Sequence, residues 1–185
     1  MNVEKTFIDG LLVITPDIHK DQRGFFFESY SFAKYYDKGL KVVFVQDNIS
    51  KSLYGTVRGL HYQNGEYAQG KLCSVIVGKV LDVALDIRFG SPTFGKYFAV
   101  ELDSGKKKQM WIPPGFAHGF SVLSDEAIFN YKCTSPYNKE HECSILFNDP
   151  DLNIDWKVKD PIVSNKDLEA VKFKDIEKHF IYEIE

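Results

Sequence analysis

The sequence predicts an all-β protein built as a single antiparallel domain, a closed sandwich or jelly roll. Three observations carry this. In segment 81–88, Leu81, Val83, Leu85 and Ile87 share one face and Asp82, Ala84, Asp86 and Arg88 the other, a period of two that marks a strand. Short apolar, β-branched runs of this kind recur, about ten in all, and closure is how so many short strands avoid exposed edges. Gly, Pro, Asn, Asp and Ser punctuate them, as in Phe89-Gly-Ser-Pro-Thr and Asn148-Asp-Pro-Asp, and these residues make turns.

In chain order, strands are expected at 11–14, 25–29, 42–48, 71–77, 81–88, 95–102, 108–112, 119–123, 127–133 and 144–147. The stretch 58–63 reads as a further strand. Gly78-Lys79, between two apolar runs, reads as a hairpin turn. Only two stretches look helical. Ser31 is placed to cap a short helix through Asp37 that Gly39 stops. Residues 166–178 are charged, with apolar Leu168, Val171, Phe173 and Ile176, as for one or two short helices packed on the outside. No repeat, low-complexity tract or linker divides the chain, so residues 1–185 form one domain.

The 44% apolar content supports a real core and excludes a disordered chain. The 23 basic residues are outnumbered by 26 acidic ones, for a net charge of −3. That balance gives no general attraction to nucleic acid or to an anionic membrane, so an anionic ligand needs a local basic site. No apolar run approaches the roughly 20 residues that span a bilayer, and residues 1–6 lack a secretory pattern. Cys73, Cys133 and Cys143 are an odd set without CxxC spacing, which fits a reducing cytoplasm better than a disulfide framework or a structural zinc site.

Chemistry-bearing residues concentrate in three places. These are Gln46-Asp-Asn-Ile-Ser-Lys with Arg58-Gly-Leu-His-Tyr-Gln63, Gln69-Gly-Lys71, and Pro113-Pro-Gly-Phe-Ala-His118 with Asn130-Tyr-Lys132. In a regular strand Gly59, His61 and Gln63 face one way and Arg58, Leu60 and Tyr62 the other, unless a bulge re-aims one of them. His61 is either a proton carrier near neutral pH or a core histidine satisfied by one hydrogen bond. Lys71 is either a solvated lysine or a cation held against charge developing on an oxygen. Tyr131 is either a core-filling aromatic or a working hydroxyl. A metal centre would require three ligands as a usual minimum. Gln63 stands where a second histidine is wanted, which leaves only His61 and His118, so no metal is expected.

The motifs, taken together and in order, resemble the dTDP-4-dehydrorhamnose 3,5-epimerase family of the cupin superfamily. They are Asp21-Gln-Arg-Gly-Phe-Phe-Phe-Glu-Ser-Tyr30, Phe44-Val-Gln-Asp-Asn48, Arg58-Gly-Leu-His-Tyr-Gln63, Gln69-Gly-Lys-Leu72, Asp82-Val-Ala-Leu-Asp-Ile-Arg88, Ser91-Pro-Thr-Phe-Gly95, Trp111-Ile-Pro-Pro-Gly-Phe-Ala-His-Gly-Phe120, Tyr131-Lys132, Asn148-Asp-Pro150 and Ser164-Asn-Lys-Asp167. The resemblance implies a double-stranded β-helix barrel, a cytoplasmic homodimer and no metal or organic cofactor. It implies a substrate in which a 4-keto-6-deoxy sugar is joined to thymidine diphosphate, inverted at C3 and C5 on the way to dTDP-L-rhamnose.

By the same resemblance His61 is the base, Asp167 orients it, Tyr131 is the acid on the opposite face and Lys71 holds the enolate oxygen. Arg23 and Glu28 are expected to reach the site from the neighbouring subunit. Gln46, Asp47 and Asn48 are expected on the nucleotide, and Tyr137 stacked on thymine. Arg58, His118, Glu142 and Lys166 are expected on the sugar or diphosphate. Cys73 departs from the valine common at its position, and Glu142 falls in a variable loop. Inversion at C3 or C5 alone, a non-catalytic sugar-nucleotide binder and a metal-dependent cupin enzyme are the alternative readings.

Overall fold

The structure, a computed structural model, describes residues 1–183. In chain order the strands are β1 (Asn2–Lys5), β2 (Leu12–Thr15), β3 (His19–Asp21), β4 (Gly24–Phe26), β5 (Gln46–Leu53), β6 (Val57–Gln63), β7 (Lys71–Val77), β8 (Lys79–Asp86), β9 (Tyr97–Asp103), β10 (Gln109–Ile112), β11 (Phe116–Val122), β12 (Glu126–Cys133) and β13 (Glu142–Ser144). The helices are α1 (Phe32–Asp37) and α2 (Asn165–Leu168), with short 3-10 turns at Gly65–Tyr67 and Phe173–Asp175. One sheet runs β1-β2-β10-β7-β12-β5, a second runs β13-β6-β11-β8-β9, and β3-β4 form a separate hairpin. All the ladders between these strands are antiparallel. The predicted jelly roll is the fold.

Each sheet packs against the other on its inner face and is covered over part of its outer face. Between the sheets lies a core to which Cys73, Val75, Met110, Ile112 and Phe129 come from the first and Val80, Ala84, Leu102, Phe116 and Phe120 from the second. Outside the second sheet, Val57, Leu60, Leu81, Val83 and Leu85 pack under Leu152, Trp156, Val163, Phe173 and Phe180 of the C-terminal segment. Outside the first, Ile14, Leu72 and Trp111 pack under Tyr35, Leu40, Tyr30 and Phe44. Each fully buried Leu, Ile or Phe contributes about 1.5–3 kcal/mol. The alternation in β8 is therefore real, but its polar face is no surface. Asp82 and Asp86 are both fully buried and point into the barrel side of the sheet, where partners must satisfy them.

Several boundaries differ from expectation. Pairing of the 42–48 segment begins only at Gln46 and runs on to Leu53, because Val42 and Phe44 are spent packing against the Trp111 cluster. The 25–29 strand shrinks to Gly24–Phe26 in the hairpin, the 144–147 strand shifts back to Glu142–Ser144, and β1 and β3 are additional. The first helix spans Phe32–Asp37 as expected and Gly39 follows with φ 97°, but Ser31 makes no side-chain cap bond. The 166–178 stretch is one short helix and a 3-10 turn.

The largest correction is at Gly78. It turns no hairpin, since β7 lies in the first sheet and β8 in the second. Gly78 is instead the corner where the chain crosses between sheets, with φ 80°. A Cβ there would lie 2.1 Å from the Glu126 carbonyl oxygen, so backbone has to move to admit one. Gly78→Ala is expected to lower stability by about 2–3 kcal/mol, measured by urea denaturation. An unchanged midpoint would show that the corner is not tightly held.

Candidate active site

The strand carrying the predicted base is not regular. His61 pairs with His118 across β6 and β11, but Arg58 pairs with Phe120, and the register shifts between them. The cause is a close approach of backbones: a Cβ on Gly59 would lie 2.5 Å from the Gly119 Cα and 2.9 Å from the His118 oxygen. The bulge re-aims Arg58, so that it lines the same cavity as His61, which simple alternation forbids.

Asp167 comes from far along the chain. The segment before it is stitched to the start of β6 by Val57 N–H to the Ile162 carbonyl and Ile162 N–H to the Gly55 carbonyl, each 2.9 Å. Ser164 then caps α2, its Oγ accepting from the Asp167 N–H at 3.2 Å. That sets the carboxylate against His61, with 2.6 Å between His61 Nε2 and Asp167 Oδ1, while its other oxygen accepts the Gly59 N–H at 3.3 Å. Burial works to raise the Asp167 pKa. The His61 hydrogen bond and charge, followed by the Gly59 and Ser164 contacts, outweigh it and hold the carboxyl below its ordinary range. An ionised carboxylate only accepts, so Nε2 carries the hydrogen and Nδ1 is the nitrogen free to take a proton.

The cavity encloses about 410 Å³ and is lined by Arg58, His61, Lys71, His118, Tyr131, Lys166 and Asp167, with Ser50, Thr56, Phe120 and Ile162 among the others. Tyr131 is on β12, in the opposite sheet from His61. Its burial pushes the phenol up to about 12, so it keeps its proton at neutral pH. Lys71 is buried at the start of β7 with its Nζ 5.9 Å from the Tyr131 ring centre. Among the described residues it forms no ion pair.

A second hollow of about 140 Å³ shares His61, Lys71 and Tyr131 and extends past Gln46, Asn48, Tyr137 and Glu142. Glu142 accepts from the Tyr137 hydroxyl at 2.9 Å and pairs with Lys166 at 2.5 Å. Burial opposes its ionisation, but the Lys166 and Tyr137 contacts prevail and lower its pKa.

Eleven of the predicted site residues thus line two joined hollows: His61, Lys71, Tyr131, Asp167, Arg58, His118, Lys166, Gln46, Asn48, Tyr137 and Glu142. Three stand apart in the single chain. Asp47 is exposed and holds Lys132 at 2.9 Å. Arg23 sits on the β3–β4 hairpin, paired with Asp21 at 2.6 Å, and Glu28 is paired with Lys34.

Sequence reasoning missed Asp82 and Gln63. Asp82 Oδ1 lies 2.6 Å from His118 Nε2, and its Oδ2 is buried without a partner. Burial is the main influence on His118 and lowers its pKa despite the Asp82 charge. With Cys73, these two are the one group of possible ligand side chains clustered within 4.8 Å among the described residues. A carboxylate in the apolar run 80–85 was the available signal.

The sequence model of dTDP-4-dehydrorhamnose 3,5-epimerase matches residues 5–175. The chain belongs to that family. It is 53% identical over 176 residues to the dTDP-4-dehydrorhamnose 3,5-epimerase of Shigella flexneri, covering 95% of this chain and 97% of that one. Among solved structures of the family it resembles the dTDP-6-deoxy-D-glucose-3,5-epimerase of Legionella pneumophila in complex with dTDP-4-keto-L-rhamnose, at TM-score 0.93 and 49% identity over 99% of each chain. A 3'-monoepimerase of Streptomyces bikiniensis in complex with dTDP-quinovose is more distant, at TM-score 0.87 and 32% identity, covering 91% of this chain and 86% of that one.

The lowered Asp167 pKa has a consequence for stability. Its contribution is present above the ordinary value of 3.8 and is lost as pH falls through the lowered folded value. Asp167→Asn is therefore expected to be less stable than the native chain at neutral pH, with the gap closing below about pH 4. Chemical denaturation at a series of pH values checks this. A gap that stays constant down to pH 3 would mean the carboxylate charge is not held by His61 and Gly59.

Proposed function

We propose that this epimerase inverts C3 and C5 of dTDP-4-dehydro-6-deoxy-D-glucose to give dTDP-4-dehydro-L-rhamnose, in dTDP-L-rhamnose biosynthesis. The observation that carries the reading is that His61 and Tyr131 line one cavity from opposite sheets of the barrel. A sugar ring held between them meets a proton acceptor on one face and a proton donor on the other, which is what inversion at carbon requires.

The chemistry follows from the ketone. Its carbonyl at C4 acidifies the hydrogens on C3 and C5 by delocalising charge onto oxygen. His61 Nδ1 takes one of these protons, and Asp167 stabilises the imidazolium that results. A positioned base contributes roughly 10²–10⁴-fold. Lys71, buried and unpaired, faces the growing negative charge on the enolate oxygen, where a cation in a water-poor site counts most. Tyr131 returns a proton to the opposite face. Its high pKa does not forbid this, since an enolate carbon is a far stronger base than a phenolate. Solvent then restores both groups, and the same steps repeat at the second carbon. No electrons leave the substrate, so the reaction calls for no redox cofactor, and Lys71 supplies the positive charge at the enolate oxygen.

Arg58 and Lys166 suit the diphosphate by charge, His118 suits the sugar as a polar group on the same cavity wall, and arginine binds phosphate oxygens in a two-pronged fork. Gln46 and Asn48 fit the nucleotide, with Tyr137 against thymine and Glu142 holding the Tyr137 hydroxyl; Asp47, turned away on the same strand, holds Lys132 instead. Three free cysteines fit a cytoplasmic enzyme.

Homodimer formation is supported by exposed apolar side chains. Phe25 and Phe26 are 57% and 67% exposed on the hairpin, and Ile49 and Leu53 are 67% and 60% exposed on the edge strand β5. A second copy covering these would bring Arg23 and Glu28 to the partner's site. Light scattering at micromolar concentration should give a dimer, and Arg23→Ala should raise KM for the sugar nucleotide. A fully active monomer would remove both residues from the site.

Heavy water separates the catalytic roles and counts the carbons. His61→Asn is expected to abolish both deuterium exchange and product, because the first proton cannot leave. Tyr131→Phe is expected to make little epimer yet incorporate deuterium into recovered substrate, as His61 returns protons to the face they left. NMR of the native product should show deuterium at C3 and C5, and label at one carbon alone would make this a monoepimerase. A histidine variant that exchanges at the native rate would overturn the base.

A further inference from the structure

Gln63 lies two residues beyond His61 on β6 and is 4% exposed. Every polar atom of its amide is engaged, and none with substrate-directed side chains. Nε2 donates to the Tyr67 carbonyl at 2.8 Å and to the Pro136 carbonyl at 3.0 Å. Oε1 accepts the Asn138 N–H at 2.7 Å. Two other glutamines act on the same loop. Gln69 Nε2 donates to the Ser135 carbonyl at 2.8 Å, and Gln46 Oε1 accepts the Tyr137 N–H at 2.9 Å. Four consecutive residues, Ser135 to Asn138, are therefore each held through a backbone group by a glutamine from outside the loop.

We propose that Gln63 is the positioning residue for loop 134–138, acting with Gln46 and Gln69, and that it sets affinity for the nucleotide by fixing where Tyr137 stands. The proposal rests on the reading above, in which Tyr137 meets the nucleobase. Tyr137 needs such support because its ring is 55% exposed and its hydroxyl has only Glu142 as partner. An exposed ring on an unheld loop loses conformational freedom on binding, and that cost comes straight out of affinity. A loop already fixed avoids it.

The residue type follows from the contacts. A primary amide offers two donors and an acceptor on one planar head. Glutamate at 63 would keep the acceptor but turn an oxygen toward the Tyr67 and Pro136 carbonyls. Methionine would keep the shape and lose all three bonds.

The test uses the full chain, with Gln63→Met, Gln63→Glu and, as a variant with less burial at stake, Gln69→Met. For the Gln63 variants, calorimetric Kd for dTDP and KM are expected to rise about tenfold, because only part of what the lost bonds contribute to holding the loop is felt in binding, with kcat within about twofold. Gln69→Met should shift the same quantities in the same direction by less. In a Tyr137→Ala background Gln63→Met should cost under about threefold more, since no ring remains to be aimed. Amide exchange of the ligand-free protein should show Tyr137 and Asn138 losing protection in Gln63→Met while β6 and β12 keep theirs.

A fall in kcat at constant KM, additive losses with Tyr137→Ala, or unchanged exchange at 137 and 138 would each overturn the proposal. Native protein that fails to bind dTDP would overturn the functional reading instead, and the exchange measurement would still decide whether Gln63 holds the loop.

Discussion

Between Gly59 and Gly119 there is no room for a side-chain carbon, and the active site depends on that contact. The two backbones approach so closely that the β6–β11 register slips. The slip turns Arg58 onto the cavity side with His61. It also leaves the Gly59 N–H free to meet Asp167 rather than a neighbouring strand. A side chain at either glycine would push β6 away from β11. His61, Arg58 and Asp167 would then move together, because all three are referenced to the same short piece of backbone.

The barrel interior carries a second constraint. A jelly roll of this size would ordinarily be filled with apolar side chains, and around Val80, Leu102 and Val122 it is. Toward the other end Asp82, His118, Lys71 and Tyr131 take their place. Buried polar groups cost stability unless paired, and among the described residues pairing here is incomplete: Asp82 keeps one oxygen without a partner and Lys71 forms no ion pair. Lys71, His118 and Tyr131 line the cavity, a wall that suits a polar, charged molecule.

Much of this was legible in the sequence, for identifiable reasons. Period-two alternation located β8, and short apolar, β-branched runs located β7, β9 and β12, because these strands bury apolar side chains; resemblance carried the site residues, which sit mainly on β5, β6, β7 and β12. What alternation could not reveal was which sheet a strand joins. The Gly78 corner looks like a hairpin locally, and only the 2.1 Å approach to Glu126 explains its glycine. Nor could it reveal that the polar face of β8 is buried, since Asp82 and Asp86 read as solvent-facing until a second layer is known to cover them. The bulge at Gly59 was foreseen only as a possibility, because a slip in register is a property of two strands and not of one. Gln63 was read only as a missing histidine, and two of its three bonds go to Pro136 and Asn138, distant in sequence.

The C-terminal segment covers the outer face of the second sheet through Trp156, Val163, Phe173 and Phe180, and the same segment carries Asp167. Half of the His61–Asp167 pair therefore belongs to the cover and half to the barrel. Covers of this kind, joined by few backbone bonds, open more readily than the strands beneath them. Partial opening would leave the barrel folded and His61 in place, but without the carboxylate that fixes its tautomer. On the mechanism proposed above, the enzyme would then lose its oriented base by local fraying well before it lost its fold, so that heat inactivation runs ahead of global melting.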